Sequence, residues 1–253
     1  MVRKNKKITA AILIIGNEIL SGRTKDQNVS YLASWLNNNL GIKTEEVRII
    51  PDIEKTIIKN ISTLRKKYNY VLTTGGIGPT HDDITAESIS KALKVKYNYN
   101  REAFNILEKY YGKKNFNSGR KKMARMPSGS KLIYNPSSIA PGFIIKNVIC
   151  LPGIPSIIRS MIDNLKNYLK PGSKTYSLTV NMIAVESKIA KELSVIQKKY
   201  KKFVDIGSYP FFRLGKVGVA VVTRSVKKKL LQSCHKEIIK MIRKKKIKIF
   251  TRI

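Results

Sequence analysis

The stretch YVLTTGGIGPTHDDITAESISKAL, residues 70–93, decides the fold. Tyr70, Val71 and Leu72 form an apolar run suited to a buried strand, and from Thr85 the pattern becomes helical as far as Leu93. Between them, Gly75, Gly76 and Gly78 let the backbone approach a ligand closely, and the amides at a helix start carry partial positive charge. Strand, glycine loop and helix in this order predict a phosphate site. Asp82 and Asp83 would repel that phosphate unless a divalent cation lay between them, so a metal on Asp82 and Asp83 is expected. The competing reading is a structural turn in which Asp83 or Thr85 caps the helix. Only 16 acidic residues face 50 basic ones, yet Asp82, Asp83 and Glu87 fall within six positions, which favours a functional cluster. The loop matches neither the Walker A spacing nor GxGxxG, so kinase-like and dinucleotide-binding readings lose their main support.

Outward from this loop, β and α patterns alternate. Residues 8–15 read as a near-continuous apolar strand, and Val29, Leu32, Ala33, Leu36 and Leu40 follow helical spacing up to Gly41. Residues 43–50 read as a second strand, and Ile57, Ile58, Ile61 and Leu64 as one face of a helix. This repetition predicts a mostly parallel sheet with helices on both faces, which binds ligands at the carboxyl ends of its strands. Asn17, Asp52 and Asp83 follow strands at that edge, and Glu18 either faces it or belongs to a polar turn. Further on, a helix is expected over 101–111 and another over 120–126. Short strands follow at 131–134, 142–145 and 148–151, then a helix that starts at Pro155 and carries Ile158, Met161, Ile162 and Leu165. Pro171-Gly172 marks a boundary between domains at 1–172 and 173–253. The second reads as strand 176–185, helix 187–200, strands 204–211 and 216–224, helix 227–244 and strand 247–250, a ferredoxin-like βαββαβ order.

Composition limits the remaining possibilities. Hydrophobic residues at 42% suit a globular chain, and the absence of an apolar run of about 18 residues argues against a membrane span, so a cytoplasmic location is expected. Two cysteines, Cys150 and Cys234, and two histidines, His81 and His235, make neither a disulfide framework nor a zinc cluster. The net charge of +34 attracts polyanions. However, 38 of the basic residues are lysine and only 12 arginine, and they spread over the whole chain, as an AT-rich coding sequence would produce; no specific nucleic-acid partner is expected. The basic tail 226–252 reads as an amphipathic helix with solvated lysines, Gly215–Gly218 as a hairpin turn, and Tyr209, Phe211 and Phe212 as strand core or an interface.

Six strings carry a resemblance: GNEILSG at 16–22 with Asn28, IPD at 50–52, TTGGIGPTHDDIT at 73–85, RKKMARMPSG at 120–129, NPSSIAPGF at 135–143 and LPGIPS at 151–156. Together they resemble the molybdopterin-binding (MoaB/Mog) superfamily, and most closely the N-terminal part of the CinA, competence/damage-inducible, proteins. The resemblance implies a three-layer α/β domain followed by a small α+β domain, binding a molybdopterin or a nucleotide diphosphate at the glycine loop. It implies metal-dependent hydrolysis of a pyrophosphate of the ADP-ribose or FAD type, with Mg, Mn or Co. The alternatives are a non-catalytic pterin or nucleotide binder, or adenylyl transfer to molybdopterin. On this reading Asp52, Asp82 and Asp83 are catalytic, with Asp82 and Asp83 holding the metal. Gly75, Gly76, Gly78, Thr80, Asn28, Pro141, Gly142 and Gly153 hold the substrate and its phosphates. Asn135 and Pro136 shape the rim, and Pro152 and Pro155 help to present amides at the next helix start. For Asp52 the other reading is a helix cap, and for His81 an incidental surface position. A homo-oligomer is expected, as in relatives. Ile157 departs from the family pattern, which places a glutamate there. The sequence ends at Ile253 without the deamidase domain of many CinA proteins, so nicotinamide-nucleotide deamidation is not expected.

Overall fold

A computed structural model describes residues 7–213 and 215–250 and divides the chain into two compact units, Met1–Ser173 and Lys174–Ile253. The large unit runs β1 (Thr9–Ile15), α1 (Asn17–Leu20), α2 (Asn28–Leu40), β2 (Lys43–Ile50), α3 (Glu54–Lys67), β3 (Tyr70–Thr74) and α4 (Thr85–Leu93). It continues through β4 (Tyr97–Tyr99), α5 (Arg101–Tyr111), α6 (Ser118–Lys122), β5 (Arg125–Pro127), β6 (Lys131–Ile133), β7 (Gly142–Ile145), β8 (Val148–Leu151) and α7 (Pro155–Met161). Six strands form one sheet in the order β2-β1-β3-β8-β7-β6, with β2, β1, β3 and β8 parallel and β7 and β6 antiparallel.

The near-continuous apolar run of β1 follows from its central place. Side chains alternate across a strand. Thus Ala11, Leu13 and Ile15 join one core with α3, α4 and α5, while Ala10, Ile12 and Ile14 join a second core with Leu32 and Leu36 of α2 and Ile158 and Met161 of α7. A strand buried on both faces has no polar side to alternate with. β2, at the sheet edge, leaves Val47 and Ile49 exposed.

Two expectations in this unit are corrected. The helix expected over 120–126 ends at Lys122, and Arg125–Pro127 is a strand paired with β4. Pro127 disfavours helical backbone at Met126, and the Arg125 guanidinium stacks 4.3 Å from the Tyr97 ring centroid across the pair. The helix from Pro155 tightens at Ile162 into a 3-10 turn, Ile162–Asn167. That turn still sends Ile162 and Leu165, three residues apart, into the same core.

The small unit contains β9 (Tyr176–Met182), α8 (Ala190–Tyr200), β10 (Asp205–Arg213), β11 (Lys216–Ser225), α9 (Lys228–Lys244) and β12 (Ile249–Phe250). Its sheet order β10-β11-β9-β12 is antiparallel throughout, and both helices pack on one face. The first strand stops at Met182, short of the expected Val185. A 3-10 turn, Glu186–Lys188, precedes α8, tied down by the Ser208 hydroxyl donating to Glu186 Oε1 at 2.6 Å. Gly215 lies in the turn between β10 and β11, which pair from Arg213 and Lys216 onward, so the GxxG spacing is a hairpin. Of the basic tail, residues 251–253, Arg252 included, lie outside the described residues. Among the described residues, no helix is long and apolar enough to cross a membrane.

Trp35 is the only tryptophan in the chain and packs in the core shared by β1 and α2, so its fluorescence reports on the large unit alone. Leu13→Ala is expected to cost that unit about 2–5 kcal/mol in urea unfolding followed at Trp35. Val47→Ala on the exposed edge is expected to stay within about 0.5 kcal/mol.

Candidate functional site

The carboxyl ends of the four parallel strands converge on one cavity of about 460 Å³. Gly16 and Glu18 follow β1, Asp52 follows β2, Gly75, Gly76 and Gly78 follow β3, and Pro152 and Gly153 follow β8; all line it. β1 is flanked by β2 on one side and β3 on the other, so the loops leaving it diverge and open a crevice, as α/β sheets do at a switch in strand order. The opposite wall is Tyr111, Met123 and the segment from Asn135 to Pro141.

The glycine loop owes its path to two backbone conformations. Gly75 has φ +99° and lies against the Ile15 carbonyl, where a Cβ would collide. Gly76 has φ +67° with the Thr85 hydroxyl in the place a Cβ would take. The Gly75 amide donates to Leu151 O and the Thr85 amide to Gly76 O, which anchors both ends of the loop. Between these anchors the amides of Gly76, Ile77 and Gly78 have no acceptor among the described residues, and all three residues line the cavity. A run of free amides is a cradle for anionic oxygen.

Beside this cradle stand the acids. The Thr80 amide donates to Asp83 Oδ2 at 2.7 Å, and the Thr80 hydroxyl lies 2.5 Å from both Asp82 Oδ1 and Asp83 Oδ2. One hydroxyl hydrogen serves one acceptor at a time, so two carboxylates are gathered around a single donor. The Thr80 hydrogen bond lowers the Asp82 pKa. Lys122 Nζ donates to Thr80 O at 2.5 Å and puts a cation at the rim. Asp83 does not cap α4, whose N-cap is Ile84 without a side-chain bond. Nor does Asp52 cap α3, since Ile53 holds that position and the Asp52 carboxylate accepts from the Asn17 amide at 2.8 Å. Burial raises the Asp52 pKa against the lowering effect of that hydrogen bond, and the nearby Glu18 and Asp82 charges add to the rise.

Of the residues expected at the site, Asp52, Gly75, Gly76, Gly78, Thr80, Asp82, Asp83, Pro141 and Gly153 line the cavity. Asn28 and Gly142 lie behind the wall. The Asn28 side-chain Nδ2 donates to Gly153 O at 2.8 Å and so positions that loop, while its Oδ1 is buried without a donor among the described residues. Gly142 starts β7, where a Cβ would meet the Cys150 carbonyl. His81 is exposed and not on the wall. Asn135 holds the rim segment together, its Nδ2 donating to Ala140 O at 2.9 Å and its Oδ1 accepting from the Ser138 amide at 3.0 Å. Lys122, Tyr111, Met123 and Ile154 were not predicted, because nothing local in their sequence places them beside the loop. Ile157 contributes an apolar patch to the wall.

Among the described residues, no three His, Cys, Asp or Glu side chains are grouped to hold a metal ion by themselves. Adjacent carboxylates still suit a hard divalent cation that takes its other oxygens from a phosphate ligand and water, and Asp82 and Asp83 are the pair that fit.

Because the Asp52 carboxyl is more easily kept neutral in the fold than in the unfolded chain, its ionisation opposes folding as pH rises. Asp52→Asn is therefore expected to raise the thermal midpoint of the unliganded protein at pH 7. The gain should disappear below about pH 4, where the aspartate is neutral in both states.

Residues 11–171 match the family described as "Probable molybdopterin binding domain", and residues 174–250 match "FAD synthase, middle domain". A protein of Archaeoglobus fulgidus is 34% identical over 199 residues, covering 79% of this chain and 84% of its own length. One of Sulfurisphaera tokodaii is 34% identical over 206 residues, covering 77% and 78%. The crystal structure of a CinA protein of unknown function from Thermoplasma acidophilum superposes with a TM-score of 0.61 at 29% identity, over 64% of this chain and 98% of that one. The matched span takes in every strand end that lines the cavity, and the chain belongs to the molybdopterin-binding-domain (MoaB/Mog) family in a CinA-like form, joined to a small unit that matches the middle domain of FAD synthase.

Proposed function

We propose that this cavity binds a nucleotide diphosphate and that the chain hydrolyses a nucleotide pyrophosphate of the ADP-ribose or FAD type. The observation that carries the proposal is the meeting of three free loop amides with two carboxylates gathered around one hydroxyl. The amides of Gly76, Ile77 and Gly78 hold non-bridging oxygens and stabilise charge that builds on them as the bond to water forms. In the step itself the water oxygen bonds to one phosphorus while the bond from that phosphorus to the bridging oxygen breaks. The electron pair leaves with the second phosphate, giving AMP and a second monophosphate. Asp52, once ionised, is placed to accept the proton that the water gives up. A divalent cation such as Mg, Mn or Co on Asp82 and Asp83 would supply positive charge to the phosphate oxygens and favour ionisation of water. Tyr111, Met123, Ile154 and Ile157 give the cavity apolar lining that suits a flat ring. The match of the small unit to the middle domain of FAD synthase supports including FAD among the substrates tested.

A second reading, a pterin or nucleotide carrier without turnover, is favoured by Ile157, which puts an aliphatic side chain on the wall where the family pattern places a glutamate. Adenylyl transfer to molybdopterin uses the same cradle and is the third reading.

Incubation of the purified chain with ADP-ribose or FAD and Mg²⁺, Mn²⁺ or Co²⁺ is expected to release AMP, with EDTA as the blank. Asp83→Asn should lower the rate by about a hundredfold or more. Metal-dependent AMP release unchanged by Asp83→Asn would remove Asp83 from the mechanism, and binding of either compound without turnover would establish the carrier reading. Gly76→Val, which places a branched side chain where φ is positive and the Thr85 hydroxyl already sits, is expected to weaken ligand binding in calorimetry roughly tenfold or more.

A further inference from the structure

We propose that the open face of the small unit's sheet is a stacking platform for single-stranded nucleic acid, bound without sequence preference. Two observations support it: the charge of the unit as a whole and the build of this face.

The first is charge. Residues 174–253 carry 21 basic and 4 acidic side chains, a net +17 in 80 residues, whereas residues 1–173 spread the same +17 over more than twice the length. A coding bias toward lysine raises both parts alike and does not account for the doubled density. Uneven charge of this kind is the footprint of a polyanion partner.

The second is the face itself. Leu178, Val180, Met182, Val219 and Val221 point toward α8 and α9, so their neighbours along β9 and β11 point the other way. On that open side β11 presents Gly218 and Ala220, which leave the middle of the sheet low. Aromatic side chains rise around it. Tyr209 of β10 is 46% exposed, and Phe211 leans across Gly218 to meet Phe250 of β12 edge to face, with ring centroids 5.7 Å apart. Arg224 lies at the end of the same face, its guanidinium 5.7 Å from the Tyr209 ring centroid and donating to the Tyr209 hydroxyl at 3.0 Å. An exposed aromatic beside an arginine on a four-stranded antiparallel sheet can stack a base and neutralise the phosphate next to it. A duplex hides its base faces, so the favoured partner is single-stranded. Stacking is tolerant of base identity, so no sequence preference follows.

The full chain is tested by fluorescence anisotropy with labelled oligo(U) and oligo(dT) of about 12 nucleotides, a length within the range such sheets cover. Binding at physiological salt is expected. Tyr209→Ala should weaken it roughly tenfold while Tyr209→Phe, which keeps the ring, should leave it near the starting value. Lys66→Ala, a single exposed charge on the large unit, should change it less than twofold. The proposal is overturned by no binding, by equal affinity for a duplex of the same charge, or by Tyr209→Ala and Lys66→Ala acting alike, which would mean charge attraction only. It is also overturned if sedimentation shows self-association lost in Tyr209→Ala, since the face would then be a contact between copies. Circular dichroism on each variant separates loss of binding from loss of fold.

Discussion

No side chain fits between Gly75 and the Ile15 carbonyl, and this close approach of two backbones is the contact on which the site depends. It brings the end of β3 against the end of β1 at the point where the sheet order diverges, and so sets the loop that follows at the mouth of the crevice. The Gly75 amide is used in holding this place, bonding to Leu151 on the neighbouring strand. The amides of the next three residues, which line the cavity, have no acceptor among the described residues. The buried central strands below make that arrangement possible, because a loop anchored at Gly75 and Thr85 to packed elements loses little ordering entropy when a ligand arrives.

Both signs of charge meet at the cavity. The free amides and the nearby Lys122 attract anionic oxygen, while Glu18, Asp52, Asp82 and Asp83 beside them repel it. Groups that repel one another at close range persist where a ligand or cation relieves them, which is why such clusters mark functional sites more often than structural ones. The pKa of Asp52 is raised and that of Asp82 lowered: burial dominates at the first and a hydroxyl donor at the second. Two acids that line one cavity thus begin from different proton affinities.

The two units differ in what their sheets do. In the large unit the central strands β1, β3 and β8 are covered on both faces, and the cavity lies at the strand ends. In the small unit both helices lie on one side, and the sheet itself is left as a surface. An aromatic residue in the first context is packing, and in the second it is available for contact.

Much of this was legible in the sequence, for a physical reason. The two-sided burial of β1 is written as an unbroken apolar run, the helices as 3.6-residue spacing, and the loop as glycines that only positive φ or close approach explains. The acids Asp52, Asp82 and Asp83 stood out against a lysine-rich background. What the sequence did not reveal was who meets whom. Whether Asp52 and Asp83 cap helices or turn toward the cavity depends on which donor reaches them first, Asn17 from another strand end or Thr80 in the loop, and local pattern does not rank those. That Tyr111 and Ile154 line one cavity with Lys122 at its rim, and that Asn28 and Gly142 stand behind its wall, depends on chain segments far apart in sequence meeting at one sheet edge. Spacing along the chain determined the elements and their order; only the packed tertiary structure decided which side chains face one another, because that is settled by contacts between residues the sequence keeps far apart.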